Sequence, residues 1–182
     1  LIFFLLTTTI EVDSGINRKL PQIQPPDVEI PPIKKKNIFI VIINKNDELL
    51  VEDELMQIED LREAAVAFLD NGGGTGPEAC DYCQGARDPE SSDNPEKAVI
   101  SVTSDRQTNY GTYITVQNEL VAAYNQLRNR AAQRLYGVSF DEMEENFNDP
   151  NFRGNKEALE ESIKRIQDMW PMKLSEAETK TN

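Results

Sequence analysis

The chain opens on an apolar run, Leu1-Ile2-Phe3-Phe4-Leu5-Leu6, which continues through three threonines to Ile10 before the first charge at Glu11. The run shows neither the alternation of a half-buried strand nor a capping signal for a helix start. No basic segment precedes it and no small-x-small motif follows, so a cleaved signal peptide fits it poorly. A membrane helix needs about 20 apolar residues. The run therefore reads as the outer end of a transmembrane helix, with Leu1, Ile2, Phe3, Phe4, Leu5 and Leu6 as the membrane anchor; a buried strand or helix start is the alternative. No later stretch approaches spanning length, which places everything from Glu11 onward on one side of the membrane.

Residues 11–36 carry Pro21, Pro25, Pro26, Pro31 and Pro32, too many for a helix or a central strand, and predict an extended, fairly stiff linker. It ends in Lys34-Lys35-Lys36, read as a solvated patch in preference to a specific electrostatic contact. The β-branched and aromatic run Ile38 to Ile43, the turn residues Asn44-Lys45-Asn46-Asp47, and Leu49-Leu50-Val51 predict a hairpin. From Ile58, apolar residues at Leu61, Ala65, Phe68 and Leu69 recur at helical spacing until Asn71-Gly72-Gly73-Gly74.

Residues 71–97, rich in Gly, Pro, Ser and Asp, predict a mobile loop inserted into the domain. Ala98 to Thr103 predicts a strand of the sheet interior. A long helix is expected from about Thr112 to Leu135 on the stripe Val116, Leu120, Ala123, Tyr124, Leu127 and Ala131. Ser139-Phe140-Asp141-Glu142 is a capping box, with Val138 and Met143 placed as a hydrophobic staple. Leu159, Ile163, Ile166 and Trp170 mark a further helix ended by Pro171, and the polar tail from Ser175 is expected to fray.

The fold expected is α/β: a small sheet with helices packed on one face, plus a C-terminal helical extension. The domains expected are the end of a membrane helix over 1–10, a linker over 11–36, an α/β domain over 37–135 and an acidic helical extension and tail over 136–182.

Composition narrows the chemistry. With 32 acidic against 19 basic residues, the net charge of −13 would repel phosphate backbones and anionic lipid heads. The chain has no histidine, which removes the commonest general acid/base near neutral pH and the commonest transition-metal ligand. Gly72-Gly73-Gly74 lacks the residues that complete a phosphate-binding or dinucleotide-binding loop. The glutamate clusters fit solvated helix faces and have no EF-hand spacing. No catalytic residue, metal ligand or cofactor is assigned. The pair Cys80 and Cys83 admits a local disulfide, a redox pair or part of a metal site. The first is favoured, because no helix N-terminus supports a reactive thiol and no further Cys or His supports a metal.

Several segments together are similar to the ExbD/TolR family of bacterial inner-membrane proteins. They are the membrane exit Phe4 to Thr9, the stretch Gly15 to Leu20 ending in Leu20-Pro21, the hairpin and helix from Ile38 to Leu69, and the strand, acidic turn and Tyr-containing helix opening from Ile100 to Gly111. The ending Trp170 to Glu178 looks like those of the Bacteroidetes branch. The resemblance implies a homodimer in the inner membrane with this region in the periplasm. It also implies a ring-forming ExbB/TolQ-like membrane subunit, a TonB/TolA-like protein to be driven, and use of the proton motive force. Ile16, Leu20, Pro21, Tyr110 and Gly111 are the partner-binding residues it suggests. The family's proton-carrying Asp lies within the membrane helix and has no counterpart among these residues. The competing reading is a periplasmic ligand- or protein-binding module without energy coupling.

Overall fold

A computed structural model of the chain describes residues 33–177; the expected membrane anchor and nearly all of the linker lie outside the described residues. Five strands, β1 (Ile38–Ile43), β2 (Leu49–Val51), β3 (Glu54–Met56), β4 (Val99–Ser104) and β5 (Leu174–Ala177), form one sheet in the order β3-β2-β1-β4-β5. The pairs β1/β2 and β2/β3 are antiparallel, and β1/β4 and β4/β5 are parallel. The helices are α1 (Ile58–Leu69), α2 (Tyr110–Tyr136), α3 (Phe140–Asn148) and α4 (Lys156–Met169). The architecture is the mixed α/β one read from the sequence, with a C-terminal helical part.

The pleat sends Phe39, Val41 and Ile43 of β1 and Ile100 and Val102 of β4 into the core. There they meet Leu61, Ala65, Phe68 and Leu69 of α1 and Val116, Leu120, Ala123, Tyr124 and Leu127 of α2. The Phe39 and Phe68 rings lie 5.1 Å apart. Helix α2 starts where Asn109 Oδ1 accepts from the Gly111 N–H at 2.8 Å, a side-chain cap for an orphan donor. It ends at Gly137, whose φ of +74° is the left-handed conformation that glycine adopts without a Cβ clash. Ser139 Oγ accepts from the Glu142 N–H at the start of α3, and Met143 behind it is buried.

Three expectations are corrected. The first unit holds a third strand, β3, because Glu52 and Asp53 (φ +50° and +69°) make a two-residue hairpin turn of the primed kind without its usual Asn or Gly. The segment 71–97 is tied down rather than mobile: buried Asn71 donates to the Asp88 and Ser92 carbonyls at 2.8 Å each, and Ser92 Oγ donates to the Phe68 carbonyl. The tail does not fray at Ser175, since residues 174–177 pair with β4 as the parallel edge strand β5.

The residues after Tyr136 share the core. Phe140, Met143, Ile163, Ile166 and Trp170 belong to the same buried cluster as the sheet. Buried Arg128 of α2 donates through Nε and Nη2 to the Trp170 carbonyl at 3.1 and 2.9 Å, and its guanidinium lies 5.5 Å from the Phe140 ring centre. No helix among the described residues is long and apolar enough to cross a membrane.

Candidate functional site

The linker enters the domain at Lys34, where a short 3₁₀ turn over Lys35–Asn37 leads directly into β1, the central strand. Asn37 and Asp93, both 2% exposed, hold each other reciprocally. Asn37 Nδ2 donates to Asp93 Oδ2 at 3.0 Å, and the Asp93 N–H donates to Asn37 Oδ1 at 2.7 Å. The same carboxylate takes Lys36 Nζ at 2.6 Å and Lys34 Nζ at 3.3 Å, while Lys34 also reaches Glu78 at 3.0 Å. The lysine patch expected to be solvated is thus the lysine half of a clamp. A run of lysines carries no mark of its partner when that partner lies about 60 residues away in sequence.

Burial pushes the Asp93 carboxyl up. The hydrogen bonds from Lys36, Asn37 and Lys34 and the Lys36 charge outweigh that effect and hold it far below the usual carboxylate range. A carboxylate depressed in the folded state contributes stability that is complete above the unfolded value, near about 4, and is lost as pH falls from there through the folded value. The slope of stability against pH in the acid range should therefore be shallower in Asp93→Asn than in the native chain. Urea titrations from pH 5 down to 3 would show this; equal slopes would mean that Asp93 titration carries none of the acid sensitivity.

The loop that supplies Asp93 is anchored on both sides. The Gly73 and Gly74 N–H groups donate to the carbonyls of Ser92 and Asp93 at 2.9 and 2.8 Å. Cys80 and Cys83 are bonded to each other through a 2.03 Å disulfide, and Arg87 donates to both of their carbonyls. A side chain at Gly72 (φ +67°) would place its Cβ 2.8 Å from Cys83 Cβ, so the backbone passes the disulfide only as glycine. Asp70, at the end of α1, takes a two-point ion pair from Arg130 of α2 at 2.7 and 2.8 Å and accepts from the Gln84 N–H at 3.0 Å. Clamp, disulfide loop and helix ends form one connected polar layer.

Of the residues picked from the sequence, Tyr110 and Gly111 stand at the other end of β1, about 20 Å away for six residues of strand. Tyr110 is 76% exposed and stacks on Tyr113 with centroids 6.4 Å apart. Tyr113 in turn donates its hydroxyl to Glu176 of β5 at 2.6 Å. The opening of α2 is fixed to the first hairpin, because Asp47 Oδ1 accepts from the Asn109 N–H at 2.7 Å and Thr108 Oγ1 donates to the Ile43 and Asn44 carbonyls. Ile16, Leu20 and Pro21 lie outside the described residues. Sequence reasoning missed Asn37, whose only local sign is a polar residue beside an apolar strand, and Asp93, which sits in a polar loop six residues before β4 with no sign of its own.

Among the described residues no group of three or more His, Cys, Asp or Glu side chains is placed to hold a metal ion. A surface groove of about 430 Å³ beside Tyr82 is lined by Lys164, Arg165 and Met169 together with Glu161 and Asp168 of α4. What the geometry offers is attachment: a chain entering at Lys34 is gripped by buried groups and continues as the middle strand of the sheet.

The family model described as biopolymer transport protein ExbD/TolR matches residues 1–131. No curated protein matches the chain. The matched span runs from the apolar start through the linker, the clamp, β1 to β4 and most of α2, and on that ground the chain belongs to the ExbD/TolR family of biopolymer transport proteins.

Proposed function

We propose that the chain is a non-enzymatic, energy-transducing subunit of an inner-membrane complex driven by the proton motive force and supporting transport across the outer membrane. In this reading the apolar residues Leu1 to Leu6 sit in the membrane beside an ExbB/TolQ-like subunit. The α/β domain stands in the periplasm as part of a homodimer and engages a TonB/TolA-like protein. The observation that carries it is the family match over residues 1–131, which covers the residues read from the sequence as anchor and linker together with β1 to β4 and most of α2. The clamp fits the role, because a pull on the linker is delivered through Lys34, Lys36 and Asn37 to the central strand and shared with the loop and both core helices. The Cys80–Cys83 bond suits an oxidising compartment.

Two conformations of the complex that differ in linker position would be biased by proton flow, and the linker would pass the difference to the partner. Leu20-Pro21 is the segment we assign to the contact, since a segment that met the partner in extended form would offer it backbone N–H and C=O groups. In cells relying on this chain, Leu20→Asp should abolish uptake through an energised outer-membrane transporter and weaken partner binding about 10-fold or more. Unchanged uptake would remove Leu20 from the contact. Normal uptake in cells lacking the chain altogether would overturn the transport role and favour a binding module.

A further inference from the structure

Trp170 is buried to 1% exposure, and its Nε1–H is the one buried side-chain polar group among the described residues without a hydrogen-bond partner. A buried indole N–H ordinarily has one, because a donor left unpaired costs about 1–3 kcal/mol. The surroundings leave room for an acceptor. Trp170 lines a slot of about 10 Å³ with Gln84, Arg130 and Arg134, space for the centre of a single oxygen-sized atom. Tyr82 and Met169 line both this slot and the groove of about 430 Å³ along α4. The wall they make is held in place. The Tyr82 ring stands edge-on to Trp170 with centroids 5.4 Å apart, its hydroxyl donates to the Met169 carbonyl at 2.9 Å, and the Cys80–Cys83 bond brackets it in sequence.

We infer that slot and groove form a docking site for an acidic peptide segment of a protein partner. One Glu or Asp side chain of that segment enters the slot and accepts from Trp170 Nε1–H beside Arg134, while an apolar neighbour rests on Tyr82 and Met169. Charge selects this occupant. In a chain with 32 acidic residues, the exposed Arg134, Lys164 and Arg165 around the groove make no side-chain ion pair or hydrogen bond within the described residues. They attract a carboxylate that arrives from outside. Glu161 and Asp168 line the same groove, one helical turn from Arg165 and Lys164, and would repel a densely charged anion, so the fit is to a single carboxylate on an otherwise apolar segment. A surface groove also suits a chain segment better than a small molecule, which needs a concave site covering most of its surface. The site goes beyond the proposed transport role. Its α4 wall and Trp170 lie past the last residue matched by the family model, and it uses none of the residues assigned to the transport partner.

Trp170 is the single tryptophan of the chain, so its indole N–H gives one nuclear magnetic resonance signal that reports on the slot directly. The full 182-residue chain, labelled with nitrogen-15 tryptophan in mild detergent, is titrated with the peptide acetyl-Ala-Leu-Glu-Leu-Ala-amide. The indole proton should move downfield to saturation as it gains a carboxylate acceptor, and the same peptide with Gln in place of Glu should leave it unmoved. Arg134→Gln should raise the peptide's dissociation constant about 10-fold with an unchanged far-UV spectrum. Lys45→Gln, an exposed cation in the turn between β1 and β2, should leave that constant as it is. A signal that neither peptide moves would make water the occupant of the slot and overturn the proposal, as would equal shifts with the Glu and Gln peptides. Sodium acetate that moves the signal at the same concentrations as the peptide would overturn the peptide occupant in favour of a bare carboxylate.

Discussion

Cutting the chain after Tyr136 is expected to leave a domain that no longer holds its fold, although the family match ends at residue 131. The removed part carries Phe140, Met143, Ile163, Ile166 and Trp170, all within the common core, each worth about 1.5–3 kcal/mol of burial. It also carries β5, which pairs with β4 and whose approach is fixed by the Ile100 N–H donating to the Lys173 carbonyl at 2.9 Å. Without it, α2 loses the packing of α3 and α4, and the buried guanidinium of Arg128 loses the Trp170 carbonyl. Burial already disfavours the charged guanidinium, so an Arg128 left unpaired in an apolar setting adds a cost of its own. Thermal unfolding followed by far-UV circular dichroism should show Tm lowered by about 10 °C or more, or no cooperative transition at all. A sharp transition within a few degrees of the native chain would show instead that residues 137–182 are an appended module.

The second large effect is expected at the linker junction. Asp93→Ala removes the acceptor of Asn37 Nδ2 and of two lysines, leaving the buried Asn37 Nδ2 without its partner while the backbone N–H of residue 93 still donates to Asn37 Oδ1. Because Lys34 is 55% exposed and Lys36 27% exposed along their side chains, the ion pairs are partly screened, and most of the loss comes from the bond of Asn37 Nδ2 to the buried carboxylate. A destabilisation of about 2–3 kcal/mol follows. In a double-mutant cycle, Asn37→Ala should cost less in the Asp93→Ala background than in the native chain, since the bond from Asn37 Nδ2 to the carboxylate is already gone and only the bond from the residue 93 N–H to Asn37 Oδ1 is left to lose. Strictly additive losses would show that the two residues act separately. The functional consequence under the proposed role is sharper than the stability loss, because a linker that slips at Lys34 transmits less of any pull to β1. Uptake should fall in Asp93→Ala at temperatures where the domain remains folded. Full uptake there would mean that force enters the domain elsewhere.

The pattern along the chain determined a good part of this protein. Where an element carries its own periodicity and its own punctuation, local chemistry suffices: β1, α1, β4, α2 and α4 were readable from apolar spacing, and the start of α3 from Ser139 and Glu142. The family resemblance was legible for the same reason, since it rests on the order of such elements. Tertiary structure decided whatever depends on residues far apart in sequence. Strand β3 follows a turn whose Glu52 and Asp53 adopt left-handed backbone without announcing it. Strand β5 is four residues of polar-looking tail that become a strand only because β4 offers an open edge. The clamp at Asp93 exists because the fold brings Lys34, Lys36 and Asn37 against a loop nearly 60 residues later, where burial and charge pairing turn an unremarkable aspartate into a fixed anchor. The two faces of β1 belong to the same class: six apolar residues specify a strand, but only the packing of the described helices on one side decides which of them are buried and which stay exposed.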